Sequence, residues 1–142
     1  MNLVERFAEA FNRRDVDGLL SLFTEDATYR DLFYGPQAGE AALRGMFERM
    51  FHEGRDYRWS MEAIVMDEAR AAAEWTFGYT ATAAVPRSEG RRVRFSGMSI
   101  FELEAGRIRA YREYANTGAA LLQLGFAPES IAKVLSRSLP TA

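Results

Sequence analysis

Two carboxylates, Asp31 and Glu113, are the residues of this chain most suited to acid–base chemistry. Asp31 lies near the end of a short predicted strand, and Glu113 lies in the middle of an aromatic-rich one. A carboxylate buried without a partner has its pKa raised until it is neutral, as a general acid or base requires. Structural roles are the alternative: Asp31 as an exposed turn carboxylate, and Glu113 as an acid satisfied by Arg109 or Tyr111 on the same strand face.

Aromatic side chains on the predicted strands could line a ligand cavity around these acids. The candidates are Trp59, Met61, Trp75, Phe77, Tyr79, Phe95 and Tyr111. Their number suits an apolar ligand, although aromatic residues on strands also serve simply as core. Tyr29 could orient a substrate oxygen or point its hydroxyl to water.

The sequence has few residues that could bind a metal and none that could act as a thiol. The chain has no cysteine, and its one histidine, His52, lies in a charged run at a predicted helix end, as is typical of a solvated side chain. A single histidine without cysteine offers no second nitrogen or sulfur ligand. The sequence therefore predicts no metal and no cofactor.

Hydrophobic periodicity predicts the elements that position these residues. Helices are predicted over residues 2–12, 15–23, 39–53, 117–125 and 128–139. Strands are predicted over residues 27–33, 57–66, 71–83, 92–103 and 107–116. Helices segregated from a run of antiparallel strands predict an α+β fold, a cone-shaped curved sheet wrapped around the N-terminal helices, with a helical C-terminal tail. Such a half-open cone leaves a cavity between sheet and helices.

The last two strands form a predicted hairpin with large side chains on both faces. Glycine in the sequence Glu104-Ala105-Gly106 supplies the turn. Alternation places one set of residues on the inner face: Val93, Phe95, Gly97, Ser99, Phe101 and Leu103. The outer face would carry the apolar residues Met98, Ile100, Ile108 and Tyr114. We expect a second copy of the chain to cover that outer face as a homodimer.

Composition limits the classes of partner. The chain has 142 residues, 48% of them apolar, and a net charge of -2, which fits a single domain over residues 1–142 with an ample core. Its basic residues are scattered, which argues against nucleic-acid binding. No run approaches the length of a membrane span, so we expect no membrane partner and a cytoplasmic location.

The sequence resembles the nuclear transport factor 2-like superfamily, and within it the SnoaL-like branch. The resemblance spans nearly the whole chain and is carried by VERFAEAFNRRDVDGLLSLFTEDATYRD, GEAALRGMFERMF, GRIRAYREYAN and LLQLG. It implies a cone-shaped fold. Members of the superfamily include isomerases, cyclases, dehydratases, epoxide hydrolases and proteins without known catalysis, so the fold alone does not identify the reaction.

Comparison with the ketosteroid isomerase branch implies that Asp31 is a catalytic base at the end of the first strand. That branch also uses a tyrosine on the first helix and an acid on the penultimate strand as oxyanion donors. Phe7 and Ser99 stand at these places. Phenylalanine donates no hydrogen bond and serine is a weaker donor than a protonated acid, so this mechanism loses its usual enolate stabilisation.

Comparison with limonene epoxide hydrolases implies a different set of roles. Tyr29 matches a tyrosine that holds the attacking water, Asp31 stands where an asparagine would, and Glu113 falls at the last acid. Trp75 and Phe77 replace the arginine and the other aspartate. The Asp-Arg-Asp arrangement is therefore broken.

What remains resembles the SnoaL-type cyclases, which use few acid–base residues in an apolar cavity. We therefore expect an isomerase, cyclase or lyase-type enzyme, with Asp31 as base and Glu113 as acid acting on a small apolar molecule. The expected substrate-binding residues are Phe7, Tyr29, Trp59, Trp75, Phe77, Phe95, Ser99 and Tyr111. The alternatives are a non-catalytic domain that binds a hydrophobic ligand or dimerises, and a scaffold whose cavity is filled by its own side chains.

Overall fold

A computed structural model describes residues 1–141 of the chain, which form five helices and one six-stranded sheet. In chain order the elements are α1 (Leu3–Asn12), α2 (Val16–Ser21), β1 (Phe23–Asp31), β2 (Gly35–Ala38), α3 (Glu40–Glu53), β3 (Gly54–Met66), β4 (Arg70–Ala81), β5 (Arg92–Glu104), β6 (Arg107–Ala115), α4 (Thr117–Gln123) and α5 (Pro128–Ser136). The predicted α+β class is confirmed.

The helix starts follow from side-chain caps in the sequence. The side chain of Asn2 accepts the amide of Glu5 at the start of α1, and that of Asp15 accepts the amide of Gly18 at the start of α2. The apolar stripe of α1 is buried, and it consists of Leu3, Val4, Phe7, Ala8 and Phe11. These caps and this stripe confirm the helical periodicity of the N-terminal segment.

The sheet is curved and unclosed, with the strand order β2-β1-β6-β5-β4-β3. All neighbouring strands pair antiparallel except β1 and β6, which run parallel. The residues of the inner sheet face and of helices α1 and α3 form one core. The predicted cone-shaped sheet around the N-terminal helices is therefore confirmed, and its one parallel pair is an addition to the prediction.

Two short segments at the start of the sheet differ from the prediction. Phe23 was expected on the second helix, but it begins β1 because it pairs with Ile108 of β6, a partner distant in sequence. Gly35-Pro36 was expected to end the strand region, but it opens β2, which lies at the edge of the sheet. Proline is tolerated there because an edge strand leaves its missing amide without a required partner.

A register shift between β5 and β6 corrects two further predictions. The shift lies between Glu102 and Leu103, and it displaces Arg109 from the pairing. Arg109 is exposed and approaches the carboxylate of Glu102 on the outer face, so it does not accompany Glu113. Ile108 is fully buried and belongs to the core, not to the outer face. A bulge of this kind reverses side-chain direction locally, which strict alternation does not anticipate.

A helix that crosses a membrane must be long and apolar. Among residues 1–141, no helix is both long enough and apolar enough to cross a bilayer. The cytoplasmic location stays a prediction.

Candidate functional site

The parallel pairing of β1 with β6 brings Asp31 and Glu113 together. Tyr29 pairs with Tyr111 and Arg30 with Arg112, so the next residues of the two strands, Asp31 and Glu113, lie side by side. Both carboxylic side chains are directed to the inner face and are buried, with 7% and 8% of their surface exposed. Neither is the exposed turn carboxylate of the structural alternative.

The two acids bind the turn that joins β1 to β2. Asp31 Oδ2 accepts the amides of Phe33, at 2.8 Å, and Tyr34, at 3.0 Å. Glu113 Oε2 accepts the amide of Leu32 at 3.1 Å. The second oxygen of Asp31, Oδ1, accepts no N–H donor within residues 1–141, so it is available to a ligand or to Glu113.

Proton sharing follows from the closeness of these two acids. Burial raises the pKa of Asp31, and the two backbone amides that it accepts oppose that rise. Burial raises the pKa of Glu113 well above its usual range, and the negative charge of Asp31 raises it further. Because two like charges side by side in a buried site disfavour double ionisation, the pair favours a state in which the two acids share one proton, and the larger rise in pKa falls on Glu113.

A chain of hydrogen bonds leads from Glu113 into the core. Tyr111 donates its hydroxyl to Glu113 Oε1 at 2.5 Å, and it bonds Ser99 Oγ at 2.7 Å. Trp75 Nε1 donates to Ser99 Oγ at 2.7 Å. Ser99 pairs with Glu113 across β5 and β6, which places all these groups in one row. Tyr111 therefore satisfies Glu113 in the way considered from the sequence.

Gly97 leaves space for the indole of Trp75, at which this series of hydrogen bonds begins. A Cβ atom at Gly97 would lie 2.7 Å from Cη2 of Trp75, which pairs with Gly97 across β4 and β5. The indole of Trp75 lies against the bare backbone and reaches Ser99. A larger residue at this position would displace the indole from its hydrogen bond.

Asp31 and Glu113 line a cavity of about 440 Å³. Five of the predicted substrate-binding residues also line it: Tyr29, Trp59, Trp75, Phe77 and Phe95. The remaining three, Phe7, Ser99 and Tyr111, do not line the cavity and lie behind its wall. Phe7 packs on Trp59 with ring centroids 5.0 Å apart, while Ser99 and Tyr111 act through the hydrogen-bond chain.

A polar cluster in the cavity wall was not predicted from the sequence. Tyr34 donates its hydroxyl to Glu53 Oε1, and Arg49 lies 3.2 Å from the same oxygen. The guanidinium of Arg49 also lies over the ring of Tyr34, 4.7 Å from its centroid. The i,i+4 spacing of Arg49 and Glu53 was visible in the sequence, but nothing local indicates that the end of α3 faces the cavity.

Further aromatic and apolar groups complete the lining. Tyr57 and Tyr79 stack with centroids 5.2 Å apart, and burial followed by the charge of Glu53 raises the pKa of Tyr79 to about 12. The C-terminal segment contributes Leu121, Leu124, Phe126, Val134 and Arg137. The helical tail therefore covers part of the cavity opening.

A metal site would need several acidic or histidine side chains to converge on one point. His52 is exposed at the end of α3, as expected. In the described part of the chain, no three acidic or histidine side chains converge as ligands. The expected lack of metal and cofactor stays a prediction.

Comparison with solved structures places the fold among known relatives. A protein with a ketosteroid isomerase-like fold from Catenulispora acidiphila, solved in complex with trimethylamine, is 17% identical, with a TM-score of 0.77 over 89% of this chain and 95% of that one. A candidate polyketide cyclase from Pseudomonas putida is 27% identical, with a TM-score of 0.73 over 87% of this chain and 98% of that one.

A third structure is an epoxide hydrolase of the limonene type from M. tuberculosis. It is 20% identical, with a TM-score of 0.70 over 96% of this chain and 94% of that one. The two likenesses at 17% and 20% identity concern the fold alone. A comparison with curated proteins gives no match.

The family follows from sequence as well as from fold. The model of the SnoaL-like domain matches residues 4–111, which include most of α1, the aspartate of the site and most of the sheet. The chain belongs to the family of SnoaL-like domains, within the nuclear transport factor 2-like superfamily.

Proposed function

We propose that this protein is a cofactor-independent acid–base enzyme of the isomerase, cyclase or lyase type, acting on a small, largely apolar carbonyl compound. The observation that carries the proposal is the buried pair of Asp31 and Glu113 at the cavity wall. The likeness to a candidate polyketide cyclase at 27% identity supports a carbonyl substrate.

The pair fits proton transfer at adjacent atoms of the substrate. A carbonyl compound carries its oxygen and an acidic hydrogen on neighbouring atoms, so a base that lies side by side with an acid can act on both at once. Asp31 Oδ1 takes the proton from carbon, and the electron pair of that bond moves toward the carbonyl. Glu113 gives its proton to the oxygen, so the products are an enol, a protonated Asp31 and an ionised Glu113.

The charge of the pair does not change in this step. One negative charge is present before proton transfer and one after it, so no new charge is created in the buried site. Return of the proton to a different carbon isomerises the substrate. Attack of the enol carbon on a second carbonyl carbon of the same molecule closes a ring: the enol hydroxyl returns its proton to Glu113, and the new alkoxide takes the proton held by Asp31.

The test measures proton abstraction without knowledge of the natural substrate. In deuterium oxide, the protein should catalyse the exchange of hydrogen for deuterium on the carbons beside the carbonyl of β-tetralone. Proton NMR measures the rate of this exchange. Asp31→Asn keeps an oxygen acceptor for the amides of Phe33 and Tyr34 but removes the base. It should lower the rate by about 100-fold or more. Glu113→Gln should lower it as well.

The matched control is Glu74→Gln. Glu74 lies exposed on the other face of the sheet, so this change removes a carboxylate without altering the cavity. Exchange at the rate of the unaltered protein in both Asp31→Asn and Glu113→Gln would contradict the proposal.

A non-catalytic ligand-binding domain is the second candidate. It is favoured by the hydrogen bonds that Asp31 and Glu113 accept from backbone amides, because these bonds would stabilise the turn even in a protein without catalysis. Saturable binding of β-tetralone with no catalysed exchange, by this protein and by Asp31→Asn alike, would support it.

We also propose that the outer sheet face forms a homodimer. Met98 and Tyr114 pair across β5 and β6 and are 46% and 53% exposed, which leaves apolar surface that a second copy would bury. Ile100, which pairs with Arg112, is half-buried, whereas Ile108 is fully buried and contributes nothing to this face. Sedimentation at micromolar concentration should give a dimer, and Tyr114→Glu should give a monomer. A monomer before substitution would refute this assembly.

A further inference from the structure

The turn between β1 and β2, residues 32–34, supplies the backbone amides that bind both acids, and it lies at an edge of the sheet. β2 is the outermost strand and pairs only with β1, so no further strand supports the turn from outside. Two amides of the turn bind Oδ2 of Asp31, and one binds Oε2 of Glu113. The position of the Asp31 carboxylate therefore depends on what holds this turn.

The side chain of Tyr34 ties the turn to the end of α3. Its hydroxyl donates to Oε1 of Glu53, and the guanidinium of Arg49 lies over its ring, 4.7 Å from the centroid. Nε of Arg49 lies 3.2 Å from the same oxygen of Glu53, so an ion pair one helical turn apart holds the acceptor in place. The side chain of Glu53 is 22% exposed, which limits competition from water for this hydrogen bond.

The backbone of Tyr34 is fixed as well as its side chain. Its amide donates to Oδ2 of Asp31 at 3.0 Å, and its carbonyl accepts Nε2 of Gln37 at 3.1 Å. The amide and the ring are carried by one Cα atom. The hydrogen bond from the hydroxyl to Glu53 therefore restrains the direction of the amide that points to Asp31.

We propose that Tyr34 is a positioning residue, which holds Asp31 in place as the base through the amides of the turn, with Glu53 and Arg49 as its anchor on α3. This inference rests on the proposed function for the role of Asp31. The free oxygen of Asp31, Oδ1, takes its direction from the two amide bonds that hold Oδ2. Loss of the anchor would let the turn move and the free oxygen with it, and a misplaced base loses rate steeply.

Tyr34 acts on Asp31 through position and not through charge. Burial raises the pKa of Tyr34 well above its usual range, and the hydrogen bond to Glu53 raises it further, so its hydroxyl is neutral. Burial also raises the pKa of three further tyrosines around Asp31, which are Tyr29, Tyr57 and Tyr79. Glu113 on β6 is the charged neighbour of Asp31, and Tyr34→Phe leaves it in place.

The turn amides give this positioning a measurable signature. Burial raises the pKa of Asp31, and the amides of Tyr34 and Phe33 oppose that rise. Hydrogen bonds to an ionised carboxylate stabilise the ionised form. A looser turn should therefore raise the pKa of Asp31 further.

The test compares Tyr34→Phe with a matched control, Tyr57→Phe. Tyr57 also donates its hydroxyl to α3, to the carbonyl of Met50 at 2.6 Å, so each variant keeps a ring and loses one such bond. In Tyr34→Phe, the carboxyl-carbon NMR titration of Asp31 should move to higher pH. The amide hydrogens of residues 33 and 34 should exchange with solvent about fivefold faster or more. Both readouts should keep their original values in Tyr57→Phe.

Two variants of the anchor separate the hydrogen bond from the ion pair. Glu53→Gln keeps an oxygen acceptor for the hydroxyl of Tyr34 but loses the charge that faces Arg49. Glu53→Leu loses both. Because the two variants remove the same charge, the larger shift of the Asp31 titration expected in Glu53→Leu reports the hydrogen bond alone. This pair also decides the question if Tyr34→Phe does not fold.

Two results of the titration would overturn the inference. One is an Asp31 titration and turn-amide exchange in Tyr34→Phe that match the unaltered protein. The other is an equal shift in Tyr34→Phe and Tyr57→Phe, since a merely structural loss of one buried hydroxyl bond would act alike in both.

Activity gives a separate readout. Tyr34→Phe should lower kcat for β-tetralone exchange roughly tenfold and leave KM nearly unchanged, whereas a change in KM alone would contradict a positioning role. The titration needs no substrate. If Asp31→Asn left the exchange of β-tetralone unaltered, the proposed function would fail, while a shifted Asp31 titration in Tyr34→Phe would still establish that Tyr34 positions this carboxylate.

Discussion

Asp31 and Glu113 reach the same three-residue turn from two different strands. Asp31, at the end of β1, binds the amides of Phe33 and Tyr34 through one oxygen, while Glu113, on β6, binds the amide of Leu32. Three successive backbone donors thus converge on the two acids. The arrangement fixes both carboxyl groups at the cavity wall and leaves Oδ1 of Asp31 for chemistry.

The protonation of Glu113 should be visible in the pH dependence of stability. Burial raises its pKa in the folded state, so the folded chain binds a proton that the unfolded chain releases at pH values above 4.5. The stabilisation is fully present below that value and is lost as the pH rises through the folded pKa. We expect the free energy of unfolding to fall as the pH rises from 4.5 to the pKa of Glu113 in the folded chain.

Glu113→Gln removes the titrating group and resembles the protonated acid in shape. Its free energy of unfolding, measured by urea denaturation across the pH series, should decline less than that of the unaltered protein. Subtracting the two curves cancels other titrating groups in the chain. A difference that runs in the opposite direction would mean that Glu113 is ionised and stabilising in the folded state.

The hydrogen bond between Trp75 and Ser99 should carry a measurable share of stability. Ser99→Ala leaves a buried indole donor unsatisfied, and we expect a loss of about 1–3 kcal/mol in the free energy of unfolding. Ser96→Ala is the control, because Ser96 lies exposed on the opposite face of β5. A double-mutant cycle with Trp75→Phe should give a nonzero coupling energy, and simple additivity would refute the bond.

Substitution by alanine should have opposite effects at two glycines, Gly54 and Gly45. Gly54 has an extended φ of -138°, yet a Cβ there would lie 2.2 Å from the hydroxyl of Tyr57. Gly54→Ala should therefore displace Tyr57 and cost about 1–3 kcal/mol. Gly45, inside α3, has open space around it, so Gly45→Ala should stabilise the protein by ~0.5–1 kcal/mol. Thermal unfolding of both variants measures the two changes in stability. Equal changes in Gly54→Ala and Gly45→Ala would contradict the prediction.

Local pattern was sufficient for most of the helices and for the inner face of β5. Alternation placed Phe95 and Ser99 inward, and both are buried. The same rule failed at Arg109, because a bulge in the pairing with β5 is set by the partner strand and is not encoded in the alternation of β6. It also failed for Phe23, whose strand pairing depends on Ile108.

The candidate site was predicted in its acids but not in its arrangement. Asp31 and Glu113 were identified by resemblance and residue type, yet their adjacency depends on the parallel pairing of β1 with β6, which joins segments some eighty residues apart. The polar cluster of Tyr34, Arg49 and Glu53 depends on how α3 packs on the sheet. Long-range packing of this kind leaves no local pattern in the sequence.

The most direct test of the central claim is a carboxyl-carbon NMR titration of Asp31 and Glu113, with each signal assigned through Asp31→Asn and Glu113→Gln. We predict that both groups titrate above their ordinary values of 3.8 and 4.5, with Glu113 the higher of the two. Substituting either acid should then shift the titration of the other downward, because one negative neighbour is gone. Two independent titrations at or below the ordinary values would contradict a buried, proton-sharing pair.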